Sequence, residues 1–343
     1  MNRRRTTSKI AVGCIVGVGC LWLALRKVSL GEVATALHGF DARYLIAAVA
    51  VSLTIQVFRA WRWQIELTPL RRLPFSLLWQ VVSVAYMMIN VLPFRLGEPV
   101  RPILLSWKTG LPIPAIVGNW VFEKMMDAAA LVLIIHLTLV MSDLPPWAHR
   151  ASGVSLATFL VLLTFVGAVW LRGERFFDAT LARLLPAPAC ARTRAVLLGA
   201  RDGLQILPDH RLVACVFLVT LVLWTLPILS SWLLLRGFGL TLPLAAPFVI
   251  FVCIGLGTAL PNPPGMFGVF QIAAVVALGL FNVHKSEAVA YGIVLNAVQF
   301  FTLVAQGLVA LPLVGVGLGA LTRAAVDESE TIGACETRPP ATR

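Results

Sequence analysis

Charge is what this sequence has least of: 13% of its 343 residues are Asp, Glu, Lys or Arg, and it holds only 5 His and 3 Tyr. Hydrophobic residues make up 59% and the mean hydropathy is +0.87. A chain so poor in charge cannot bury all its apolar side chains in one core and still cover the surface. An ordinary water-soluble enzyme is excluded. The alternation of apolar and polar residues over about ten positions that marks membrane β-strands is also missing, since 156–171 and 212–235 are unbroken apolar runs, and so is a β-barrel. Six cysteines (Cys14, Cys20, Cys190, Cys215, Cys253 and Cys335) form no CxxC pair, and no DxD or His-rich pattern occurs. Neither a metal nor another cofactor is expected.

What is present is a series of windows long enough to cross a bilayer, which takes about 20 apolar residues. The chain reads as an all-α, polytopic membrane helix bundle with full spans near 9–27, 43–66, 114–140, 152–171, 211–235 and 288–318. Two further apolar stretches, 75–108 and 244–282, break in the middle at Leu92, Pro93 and Gly97, and at Leu260, Pro261 and Gly265. The expected total is about eight membrane segments: six full spans plus two broken or re-entrant helical hairpins. They form a single membrane domain over 1–320, with a cytoplasmic connector at 172–211 and a disordered cytoplasmic tail at 321–343.

The two broken stretches share a pattern. Leu73-Pro74 is followed 19 residues later by Leu92-Pro93, and Leu242-Pro243 is followed 18 residues later by Leu260-Pro261, after which both read LPxxxG. If each stretch enters and leaves on one side, the segments on one face of the six spans hold 19 Lys and Arg and those on the other hold 6. By the positive-inside rule both termini are cytoplasmic and the hairpins open from opposite sides. Inverted repeats with helices broken at membrane depth point to a transport site, and two Pro-kinked helices that merely pack are the alternative. The net charge of +12 collects at segment ends, where it meets lipid headgroups; nucleic acid is not an expected partner.

Charges inside the membrane segments are few: Arg95, Glu98, Arg101, Glu123, Lys124 and Asp127. Each would cost about 2.5–3.5 kcal/mol alone at the bilayer centre, so three acids and three bases are expected to pair in a protected cavity. Asn119, Glu123 and Asp127 share one helix face, which must point at protein or water. Arg95 and Arg101 suit a lipid phosphate, with Glu98, Glu123 and Asp127 positioning them or carrying protons; an ion-pair lock is the structural alternative. Arg59 is placed with this network because it is near enough to turn inward, whereas Trp61, Arg62 and Trp63 read as interfacial anchors. On the second hairpin, Asn262, Pro264, Gly265 and Gly268 form a kinked turn with Gln271 beyond it, and Asn296, Gln299 and Gln306 form a polar stripe on the last span. Asn262 and Gln271 are candidate headgroup contacts.

RAWRW at 59–63, NVLPFRLGEPVR at 90–101, FEKMMD at 122–127 and LPNPPGMFGVFQ at 260–271 occur in this order. Together they resemble the lysylphosphatidylglycerol synthase transmembrane-region family, also called flippase-like integral membrane proteins, over about 10–318. The resemblance implies a lipid-handling membrane domain, which in multiple peptide resistance factors looks like the half that moves an aminoacylated phospholipid between leaflets. Relatives often read PGGxGxxE in the second hairpin, whereas this chain carries Met266, Phe267 and, in place of the acid, Gln271. Asn296 stands where relatives often have a basic residue or His. In that family aminoacyl transfer resides in a separate soluble domain, and the roughly 25 residues after 318 are too few for one, so the synthase reaction is not expected.

The expected function is therefore translocation of a lipid or glycolipid in a bacterial cytoplasmic (inner) membrane, with an anionic headgroup bound in a midplane cavity. The expected partners are membrane lipids. The rival readings are a membrane glycosyltransferase using polyprenyl-phosphate sugars, with acids among Glu98, Glu123 and Asp127, and a non-transporting anchor for a cytoplasmic lipid-modifying enzyme.

Overall fold

The computed structural model describes residues 30–92, 97–141, 146–176, 199–258, 263–317, 319 and 321. The expected first span at 9–27, most of the 172–211 connector and the tail beyond Leu321 lie outside them, as do Pro93, Arg95, Pro261 and Asn262. Among the described residues there is no strand. The helices are α1 (Leu30–His38), α2 (Ala42–Leu67), α3 (Phe75–Val91), α4 (Val100–Thr109), α5 (Ile113–Met141), α6 (Pro146–Phe176), α7 (His210–Gly237), α8 (Ala245–Thr258), α9 (Val269–Gly279) and α10 (Lys285–Val314). Five of them, α2, α5, α6, α7 and α10, are long and apolar enough to cross a membrane, matching five of the six expected spans.

The helices start and stop where local chemistry dictates. The Asp41 carboxylate accepts the Arg43 amide at 2.9 Å, capping the first turn of α2. That backbone bond is the main reason the exposed Asp41 carboxyl is held below its ordinary value. Asp209 does the same for α7, accepting the amides of Arg211 and Leu212 at 3.0 and 3.1 Å. Arg71 donates to the last carbonyl of α4, that of Thr109, at 2.7 Å.

Burial on α2 shows the inverted amphipathicity of a helix in lipid. Its buried face runs through Ala48, Ser52, Gln56, Ala60, Trp63 and Leu67, whereas Ile46, Leu53, Val57 and Trp61 are exposed. Ser, Gln, Arg and Glu thus face protein, and apolar side chains face outward.

The chain divides into two compact units, one of residues 1–56, 79–104 and 226–343 and the other of 57–78 and 105–225. In the second unit α5 packs on α6, and Phe122, Met125, Met126, Val166, Val169 and Val216 form a core with Leu204 and Ile206. The end of the expected connector belongs to this packing. A Cβ on Gly118 would lie 1.9 Å from the Ala200 carbonyl oxygen, and one on Gly203 would lie 2.1 Å from that of Ala115, so backbone meets backbone there. In the first unit α8 packs on α9, α9 on α10 and α10 on α1, where Val33 meets Val289 and Ala290.

Candidate functional site

Both broken stretches break where expected. The first consists of α3 and α4, of 17 and 10 residues. The second consists of α8 and α9, of 14 and 11 residues. At 1.5 Å per residue only α3 reaches the lower limit for crossing about 30 Å of hydrocarbon. Immediately after the first break the chain folds back onto α3: a Cβ on Gly97 would lie 2.3 Å from the Ile89 amide nitrogen, so only glycine permits that approach. Glu98 follows, half-buried, and Arg101 sits in the first turn of α4, 7% exposed.

The second break is a tight turn through Pro264–Met266 in which Gly265, Met266 and Gly268 have φ of 66°, 55° and 89°. Met266 is in the left-handed region that a side chain disfavours. Gln271, buried at the start of α9, accepts the Gly268 amide with Oε1 at 2.7 Å. Asn296, buried on α10, donates Nδ2 to the Gly265 carbonyl at 3.0 Å. The structure thus brings Gly265, Gly268, Gln271 and Asn296 together, as a turn and the two amides that hold it. Gln299 is half-buried, and Gln306 donates to its own helix at Thr302.

The second unit holds a buried ion cluster. Arg62 on α2 donates Nη2 to Glu123 Oε1 at 2.5 Å and Nη1 to Asp127 Oδ1 at 2.6 Å. Its Nε lies 3.5 Å from the Glu66 carboxylate one turn on, and Nη1 also reaches Thr220 Oγ1 on α7 at 3.2 Å. Thr220 keeps its own proton on the Val216 carbonyl, leaving its oxygen as the acceptor. Trp224 donates its indole N–H to Asp127 at 3.2 Å. Trp63 donates to Asn119 Oδ1 at 3.0 Å, while Asn119 Nδ2 donates to the Glu66 carbonyl at 3.2 Å. Lys124 sits apart from this core, 42% exposed, with Nζ 3.7 Å from Asp127 Oδ2 and 5.7 Å above the Trp120 ring.

This corrects the reading of 59–63 as an interfacial anchor. Trp63 is 1% exposed and Arg62 is 3% exposed, so neither is an anchor, whereas Trp61, 44% exposed, fits that role. Arg62, read from sequence as an anchor, is turned onto the α5 carboxylates; Arg59 is half-buried. Glu66, Thr220 and Trp224 were not anticipated either. The spacing of Arg62 and Glu66, four apart with Trp63 between, is the signal that reveals the buried face. The polar stripe of Asn119, Glu123 and Asp127 faces protein, as its spacing demanded. Among the described residues no cluster of His, Cys, Asp and Glu suits a metal ion.

Residues 10–307 match the sequence pattern of the lysylphosphatidylglycerol synthase TM region family. The chain belongs to that family. It is 23% identical over 332 residues to a UPF0104 membrane protein of Methanothermobacter thermautotrophicus, spanning 90% of this chain and 96% of the relative. It is 25% identical over 229 residues to a UPF0104 membrane protein of Methanocaldococcus jannaschii, spanning 64% of this chain and 92% of the relative. Family membership and the five long apolar helices agree on a multi-pass membrane protein. In this member of the lysylphosphatidylglycerol synthase TM region family, both hairpin turns and the Arg62 cluster lie inside the matched region.

Proposed function

We propose that the protein is a lipid translocase of the cytoplasmic membrane that binds an anionic headgroup at the first helix break. The observation that carries this reading is the pair of interrupted helices within membrane segments. Interruption frees backbone groups that lipid cannot satisfy, so such geometry serves where a polar solute or protein takes them up. Arg101 in the first turn of α4 adds a buried guanidinium to the positive end of a helix, a combination suited to phosphate. Arg95 of the same motif is its sequence partner in this role. The bias of Lys and Arg along the sequence supports a cytoplasmic side for both termini and the 172–211 connector.

We place the protein among carriers rather than transferases. Glu123 Oε1 and Asp127 Oδ1 both accept hydrogen bonds from Arg62, so these oxygens are engaged by the protein's own guanidinium rather than offered to a sugar donor. Binding of a cytoplasmic lipid-modifying enzyme through the connector is compatible with translocation.

The test is redistribution of labelled phosphatidic acid and phosphatidylglycerol between leaflets of proteoliposomes. Wild type is expected to accelerate movement of an anionic lipid, and Arg101→Gln to abolish that acceleration in protein that remains folded by circular dichroism. No acceleration for any lipid by folded protein defeats the reading. Transfer of a sugar from a polyprenyl phosphate to an acceptor lipid in the same vesicles would move the protein to the transferases.

A further inference from the structure

The turn of the second hairpin contains a buried hydrogen-bond acceptor to which no described residue donates. Asn296 is 2% exposed, and its Oδ1 meets no donor among the described residues. The amide cannot be turned round to remove the difficulty, because Nδ2 is committed to the Gly265 carbonyl at 3.0 Å and a carbonyl cannot donate to a carbonyl. A buried, unsatisfied carboxamide oxygen is costly to keep, so its retention calls for a donor from outside the fold.

An aromatic wall stands beside it. Phe300 is four residues beyond Asn296 and so shares its face of α10. Its ring centroid is 5.6 Å from that of Phe267, and the Phe301 centroid is a further 5.5 Å on. Phe267 and Phe300 both press on the turn: a Cβ on Gly265 would lie 2.4 Å from Phe267 Cε2 and 3.2 Å from Phe300 Cε2. Phe267 is nevertheless 44% exposed. A ring face carries partial negative charge and receives C–H edges.

The chemistry of the donor follows from what surrounds it. Residues 237–283 and 288–322 include no Asp, Glu, Lys, Arg or His. Glu32, on the helix packed against α10, is engaged by Ser286 ten residues before Asn296, about 15 Å along the helix. An ammonium buried here would find no counter-charge on α8, the turn, α9 or this stretch of α10, and would cost more than one hydrogen bond returns. A neutral hydroxyl has no such penalty.

We propose that Asn296 Oδ1 and the Phe267 ring form a recognition point for a neutral, hydroxyl-bearing headgroup, a sugar or similar polyol carried on a lipid. That the polyol is carried on a lipid rests on the translocase reading; that it is neutral and donates a hydrogen bond rests on the turn itself. The first hairpin, with Arg101 and Glu98, then suits a charged group and the second an uncharged one.

Retention of lipids by the purified full-length protein in native mass spectrometry tests this. The probes are glucosyl-diacylglycerol, diacylglycerol and phosphatidic acid with identical acyl chains. Wild type is expected to retain the glucosyl lipid roughly tenfold over diacylglycerol, the worth of one well-made hydrogen bond. Asn296→Leu is expected to bring that ratio near one. It also removes the bond to Gly265, so Phe267→Ala, which leaves that bond in place, serves as the second variant and is expected to reduce the ratio at least threefold with an unchanged melting temperature. Neither variant should alter retention of phosphatidic acid, which Arg101→Gln removes.

Equal retention of glucosyl and plain diacylglycerol by wild type, with phosphatidic acid still bound through Arg101, overturns this inference alone and assigns the Asn296 oxygen to water. Discrimination for the glucosyl lipid that survives both variants also overturns it. Phosphatidic acid retention indifferent to Arg101, with glucosyl discrimination intact, defeats the anion-binding reading and leaves this one standing.

Discussion

Arg62 joins three helices through its side chain, meeting Glu123 and Asp127 on α5 and Thr220 on α7 from its place on α2. Removing one partner of a buried ion pair leaves a charge without compensation, typically at about 3–5 kcal/mol. Arg62→Met is expected to lower stability by that order, read as a drop in melting temperature of the detergent-solubilised protein. Arg62→Lys should recover little, because a single ammonium cannot replace a fork donating to two carboxylates at once. Arg62→Met with Asp127→Asn should cost less than the sum of the two single changes. The α5 half of this cluster was legible from spacing alone, since Asn119, Glu123 and Asp127 recur every four residues. Arg62 was not, because an arginine within five residues of the end of α2 can equally extend its side chain to the headgroups. Only the turn of the helix decides, and Trp63, buried rather than interfacial, records which way it turned.

At the scale of elements, the two helix breaks were readable because proline and glycine act through local sterics that no tertiary packing overrides. The partners of the breaks were not readable. Asn296 is 31 residues from the carbonyl it bonds, and a polar stripe on a helix does not announce which turn it will meet. The glycines give a graded test. Gly97→Ala places a methyl group against the α3 backbone and is expected to destabilise by about 1–3 kcal/mol, the usual cost of overpacking. Gly153→Ala on α6, with no atom within 4 Å of the added methyl, is expected to leave the melting temperature unchanged or slightly raised. Met266→Gly should stabilise by about 1 kcal/mol, because glycine takes the left-handed conformation at φ 55° without strain. Heat denaturation of the three variants side by side checks all three values.

For the whole molecule, composition alone established the membrane class and five spans fell within a few residues of their expected ends, because hydropathy is a property of the segment rather than of its neighbours. The division into two compact units was not foreseeable, since it cuts through helices that sequence treats as single objects. Topology is tested directly in a cysteine-free background. A membrane-impermeant maleimide is expected to label His284→Cys in intact cells and Arg72→Cys only after the membrane is opened. The reverse pattern would invert the orientation.

One helix is held quite differently from the rest. Only 11% of the apolar window of α6 is buried inside the protein, and its inward contacts narrow to Val166, Val169 and a few partly buried neighbours. Natural selection acting on such a segment sees its length and oiliness more than its letters. A saturation library across 152–171 should therefore tolerate exchange among Leu, Ile, Val, Phe and Met at most positions and reject charge almost everywhere. Sensitivity to shape should be confined to a narrow stripe through 166 and 169, so α6 is the span on which homologous chains are free to drift apart while the fold stays put.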